Sequence, residues 1–161
     1  MGRRPPVTPP AAERGPSMSW ESRRLAGILL VVLPTVMFGG ASLLTLLIRD
    51  PAYQANPLRQ DLWRAGHAHA GVLLVLSLVA LRYVDHARLG RPWLWVARHG
   101  IPIAAILMPL GFFLSVLTPD ATSPSGMIGF TYAGGVVLAA SVLLLGIGLL
   151  RAGAVGRDRS S

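Results

Sequence analysis

The 161-residue chain is 52% apolar and only 14% charged, whereas soluble domains carry roughly 25% charged residues. It contains no cysteine, which excludes disulfides, thiolate metal sites and a cysteine nucleophile. The 15 basic residues behind its net charge of +8 are all arginine. They stand in short clusters between long uncharged runs, the pattern of membrane-protein loops and not of a nucleic-acid surface.

Residues 1–22 open the chain with five prolines (Pro5, Pro6, Pro9, Pro10, Pro16) and few large apolar groups. Such a segment buries too little surface to offset its ordering entropy, so a disordered tail is expected. Apolar runs follow at 25–48, 65–81, 100–117 and 127–150. About 20 apolar residues cross a hydrocarbon core of ~30 Å as helix. The first and fourth runs exceed that length, while the second and third are shorter. The expectation is an all-α, polytopic membrane protein, a bundle of four transmembrane helices over 23–151. Short tails at 1–22 and 152–161 flank it.

Within the runs, Pro34, the Gly39-Gly40 pair, Pro109 and Gly111 are tolerable, because neighbouring helices satisfy the freed carbonyls of a membrane helix. Kinks are expected near Pro34 and Pro109. The first run begins like a signal peptide after Arg23-Arg24, but it continues through Leu43, Leu44, Leu46 and Leu47. That is longer than a signal peptide's apolar core, so a retained anchor is expected.

Arginine counts set the orientation. The N-terminal tail, the middle loop (Arg82, Arg88, Arg91, Arg98) and the C-terminal tail hold 12 of the 15; the first loop has Arg49, Arg59 and Arg64, and the third has none. Both termini and the middle loop are therefore expected in the cytoplasm of a bacterial inner membrane. Trp20, Tyr83, Trp93 and Trp95 would mark the inner interface, and Tyr53 and Trp63 the outer one. The third loop, 118–126, is turn chemistry throughout and makes the third and fourth helices antiparallel neighbours. Asp61 is placed to cap the second helix.

Chemistry centres on His67 and His69, at the outer end of the second helix. A turn of about 100° per residue sets them roughly 200° apart, so they cannot share one ion while the backbone is helical. Between them runs a stripe of mostly small residues, Gly66, Ala70, Leu73 and Ser77, with one histidine on each side. Small residues admit close approach of another helix or of a flat macrocycle. Two readings stand. In one, the imidazoles lie at the interface and hydrogen-bond water, headgroups or neighbouring carbonyls. In the other, His67 or His69 ligates a haem or a metal ion.

The stretch GHAHAGVLLVLSLVALRY, residues 66–83, resembles the second helix of small membrane proteins related to subunit I of haem–copper oxidases. In that family a histidine early in this helix is an axial ligand of the low-spin haem. The resemblance implies that role for His67 or His69. The remaining histidines, His86 and His99, fall in the middle loop, where solvated positions are expected. His86 is 19 residues, or about 29 Å of helix, from His67, too far to share one haem. No paired histidines suit copper, and a second ligand would come from a symmetry mate, a partner protein or Met127.

The spans lack Asp, Glu, Lys and Arg, which disfavours a proton-coupled transporter. No phosphate loop or nucleophile elbow is present. Ser42, Ser77, Ser115 and Ser141 are expected to bond to their own helix carbonyls. Gly135 and Ala139 form a small-xxx-small pair expected to pack within the bundle, with homodimerisation as the other use. The function expected is that of a non-enzymatic membrane protein associating with itself or a membrane partner, with haem or metal binding as its sharper form. An accessory component of a respiratory complex is the alternative, and a small transporter ranks last.

Overall fold

The computed structural model describes residues 18–157, so the expected disordered tail lies, up to residue 17, outside the described residues. Among the described residues there are helices and turns and no strand. Four helices are long and apolar enough to cross a membrane, and the chain is an all-α, multi-pass membrane protein.

Helix α1 spans Trp20–Arg49; Ser19 caps it by accepting from the Ser22 amide. Asp50 closes α1 and caps the short α2, Pro51–Gln54, by accepting from the Ala52 and Tyr53 amides. Helix α3 spans Pro57–Val84 and α4 spans Arg91–Ser115. A single 3-10 turn, Gly126–Ile128, leads into α5, Gly129–Arg157. Prolines at the first or second position of α2, α3 and α4 suit sites where the missing N–H would have been unpaired anyway. Helix α1 runs on through Pro34, and α4 through Pro102 and Pro109.

These helices overrun the apolar runs. The helix begins at Trp20, inside what the sequence suggested was tail, and α5 continues past 151. The largest extension is in α3, whose first two turns include Arg59, Asp61 and Arg64. Its cap is Asn56, which accepts from the Arg59 amide at 3.0 Å, and not Asp61, which pairs with Arg64 at 2.8 Å. The Asn56 amide group also donates to the carbonyls of Pro119 and Ala121, tying the two loops of that end together. Arg98 and His99, expected in a loop, belong to the second turn of α4. Lengths of 25 to 30 residues give about 38–45 Å at 1.5 Å per residue. The helices therefore reach beyond the hydrocarbon into the headgroup layers, where charged side chains at helix ends are at home.

The spanning helices pack in chain order: α1 on α3, α3 on α4, and α4 most intimately on α5. All four contribute to a core near the end that carries the termini, the terminal end. It includes Leu29, Leu81, Val84, Ala97, Ile101 and Leu145. Large apolar side chains such as Val31, Phe38, Val136 and Leu150 are more than two-thirds exposed, which in a bilayer means covered by acyl chains.

Glycines set the α4–α5 seam. A Cβ on Gly111 would overlap the Thr131 backbone, one on Gly100 would overlap the Ser141 hydroxyl, and one on Gly134 would lie 2.6 Å from Met108 Cγ. Ser42, Ser77, Ser115 and Ser141 each donate to a carbonyl of their own helix, at 2.7 to 3.0 Å. The Gly135–Ala139 pair is not in this seam. Gly135 has nothing within 4 Å of its would-be Cβ, and Ala139 is exposed. The contact line runs through Thr131, Gly134 and Ser141, one residue and about 100° away.

At the terminal end, Arg98 is buried and bonds Asp85, which follows α3, at 2.8 Å, and Glu21 of α1. Asp85 also accepts from the Ser19 amide at 2.9 Å. Trp20, Tyr83, Trp93 and Trp95 are all more than half exposed around this end, as aromatic side chains of a membrane interface should be.

Candidate functional site

The early start of α3 moves its histidines inward. His67 lies ten residues, about 15 Å of helix, past Pro57, and one turn beyond Arg64. Across from it on α1, Gly40 lies nine residues before Arg49. The imidazoles thus sit below a ring of charges made by Arg49, Asp61 and Arg64, not at the mouth of the helix. Ionisable side chains at such depth are uncommon and tend to serve function.

The helical wheel separates them as expected. Gly66, Leu73 and Ser77 are buried along the stripe between them. Gly66 faces α4, where a Cβ would lie 3.1 Å from both Phe112 and Phe113. His67 turns to α1. Its ring lies on the Gly39-Gly40 pair, and a Cβ on Gly40 would stand 2.8 Å from Nε2, with one on Gly39 3.8 Å from Nδ1. The glycine pair therefore makes the room the imidazole occupies. Between α1 and α3, His67 borders a cleft of about 250 Å³ walled by Leu43, Leu44 and Leu47, with Tyr53 and Arg64 at its mouth.

His69 turns the other way. Its ring tilts against Phe112, with centroids 5.1 Å apart. Nδ1 lies 2.7 Å from the Ala65 carbonyl. A carbonyl only accepts, so Nδ1 donates here, and in the neutral ring Nε2 holds the lone pair. The ring is half-buried.

The other candidates disperse. His86 follows α3, and its buried Nδ1 has no hydrogen-bond partner among the described residues. His86 does lie in the expected loop, half-buried; His99 is instead helical, donates from Nδ1 to the Trp95 carbonyl at 3.0 Å and stacks on Trp95. Met127 is half-exposed in the 3-10 turn. No group of three or more metal-ligating side chains converges among the described residues.

Tyr53 and Trp63, expected at the lipid interface, are instead packed together above the cleft, with ring centroids 5.7 Å apart. Tyr53 is 1% exposed. Trp63 donates from its indole to the Phe113 carbonyl at 3.2 Å and carries Arg59 over its ring at 4.1 Å. This aromatic pair ties α2, α3 and α4, with Arg59 over it. Burial raises the Tyr53 phenol above the ordinary 10.0, against the lowering pull of Arg64 and Arg59. A raised acid favours folding below its unfolded value and loses that contribution as pH climbs through the folded one. In an alkaline titration followed by tyrosinate absorbance, Tyr53→Phe is expected to remove a step above pH 10. An unchanged titration curve would count against the burial.

Comparison with protein families, curated proteins and solved structures gives no significant match. The reading of the site therefore rests on its own geometry.

Proposed function

We propose that this is a non-enzymatic membrane protein that offers His69 as the single protein donor to a haem shared with a partner. In this reading it is an accessory component of a redox complex in a bacterial inner membrane, with both termini cytoplasmic. One observation carries the choice of His69. The Nδ1–H bond to the Ala65 carbonyl fixes the tautomer and orientation of the ring and leaves Nε2 as the donor, the arrangement ligating histidines use. His67, its ring seated on the Gly39-Gly40 pair, fills the role of an interhelical packing residue.

The donor set, one imidazole, would suit a haem iron that takes its other protein contacts from a partner. It does not suit a bare ion, since no three ligating side chains converge among the described residues. The half-buried ring of His69 leaves one side of the site to be closed by another chain, which is the expectation for a cofactor held between partners. Phe112 supplies an apolar wall that excludes water. When bound, haem would supply one-electron transfer; this chain would orient it and set its surroundings.

The test is the optical spectrum of protein purified with supplied haem from a membrane extract. A Soret band is expected for the parent chain and for His67→Ala, and its loss is expected for His69→Ala. A band that survives His69→Ala, or a parent protein that binds no haem, overturns the reading.

A further inference from the structure

We propose that the cleft between α1 and α4 at the terminal end binds the headgroup of a zwitterionic, primary-amine phospholipid. This site lies at the other end of the helices from His69 and does not depend on it. The cleft has a volume of about 330 Å³, at the small end of the range for ligand pockets. Helix α1 lends Trp20, Glu21 and Arg24 to it, and α4 lends Trp95 and His99. Its walls thus carry one cation, one anion and two indoles, a dipolar lining for a dipolar ligand.

Each wall group has chemistry to spare. The Arg24 guanidinium lies 5.3 Å from the Trp20 ring centroid and pairs with no carboxylate among the described residues. It is free for a phosphate, which arginine binds through several N–H donors. Glu21 gives one oxygen, Oε2, to Arg98; its side chain is 63% exposed, and Oε1 remains to accept from an ammonium. His99 stacks on Trp95 at 4.7 Å, flattening that wall. The two indoles, 64% and 56% exposed, attract a cation to their faces and settle at headgroup depth. Below them Leu25 and Ile28 continue the cleft as an apolar track for an acyl chain.

The charge arithmetic chooses the occupant. Arg98 is shared by Glu21 and Asp85, so with Arg24 the cluster holds two cations and two anions and is neutral. An anionic headgroup would leave the cluster with an excess negative charge and bring no cationic donor to Glu21 Oε1. A primary ammonium donates to Glu21, whereas a quaternary one has no proton to give. The rest of this end is rich in arginine, including Arg23, Arg88, Arg91 and Arg151, which favours anionic lipids in general. Preference for a zwitterion therefore separates the cleft from that background.

The experiment is native mass spectrometry of the full chain in mild detergent with phosphatidylethanolamine, phosphatidylglycerol and phosphatidylcholine of one acyl composition. The ethanolamine lipid is expected to be retained over both others by roughly fivefold, the ratio expected of an exposed cation–π or ionic contact. Glu21→Gln should erase its advantage over phosphatidylglycerol, Arg24→Gln should lower retention of all three, and Arg151→Gln should leave the order intact. Quenching of tryptophan fluorescence by brominated forms of the same lipids reads the order in the unaltered chain. Phosphatidylglycerol held as well as or better than phosphatidylethanolamine, or an order indifferent to Glu21→Gln, overturns the proposal.

Discussion

Asp85→Ala is expected to destabilise the bundle by about 3–5 kcal/mol, the cost of leaving a buried charge without its partner. The Arg98 side chain is 8% exposed and that of Asp85 14%, so neither charge is well solvated. Asp85 takes one guanidinium nitrogen of Arg98 and the Ser19 amide ahead of α1, and so it joins the starts of α1 and α4 to the end of α3. Arg98 Nε already lacks a partner, which leaves the guanidinium little reserve. Glu21, 63% exposed, should cost less than ~1 kcal/mol when changed to Ala, because solvent screens its pair. Asp85→Asn keeps an acceptor for the Ser19 amide and should fall between the two. Replacing both charges, as Arg98→Met with Asp85→Leu, is expected to recover most of the loss, since apolar substitutes for a buried pair are often neutral. Equilibrium unfolding in mixed micelles, followed by circular dichroism, gives the order. An Asp85→Ala protein no weaker than Glu21→Ala would show that the network does not hold these helices together.

Hydropathy made the four spans legible because the same apolar residues that lipid demands are those a window counts. It misplaced the helix ends for the same reason. Arg59, Asp61 and Arg64 are helical but repel a hydropathy window, and their positions follow from the Asn56 cap and Pro57, signals that the sequence itself carries. Arg98 was unreadable as a buried residue: its partners Glu21 and Asp85 are 77 and 13 positions away, and nothing local announces them. At the histidines the wheel worked, since helix geometry alone sends His67 and His69 to different neighbours. Which neighbour each meets required the glycine pair on α1 and Phe112 on α4, a matter of tertiary packing. The outer aromatics failed differently. Tyr53 and Trp63 have the amphipathic rings of interface residues, but α2 folds back so that Tyr53 is buried against a half-buried Trp63.

Gly111→Ala is expected to weaken the α4–α5 seam by about 1–3 kcal/mol, as overpacking does, despite the gain of up to ~1 kcal/mol that alanine brings to a helix. A new Cβ there would strike the Thr131 hydroxyl and also the Thr131 backbone nitrogen, which cannot swing aside as a side chain can. Gly100→Ala should also cost stability: it meets the Ser141 hydroxyl and the Ser141 Cβ at 2.9 Å, and rotating the hydroxyl away relieves only the first while breaking its 2.7 Å bond to the Val137 carbonyl. The sharper comparison lies between neighbours on α5. Gly134→Ala presses on Met108 Cγ and on the Met108 amide nitrogen at 3.0 Å, whereas Gly135→Ala meets nothing within 4 Å. The first should destabilise and the second should be neutral or stabilising, by the same micellar unfolding. A single position turns the side chain about 100°, so the pair reads the rotation of α5 directly. Equal losses at 134 and 135 would place a second helix, from another copy, against the face this chain leaves to lipid.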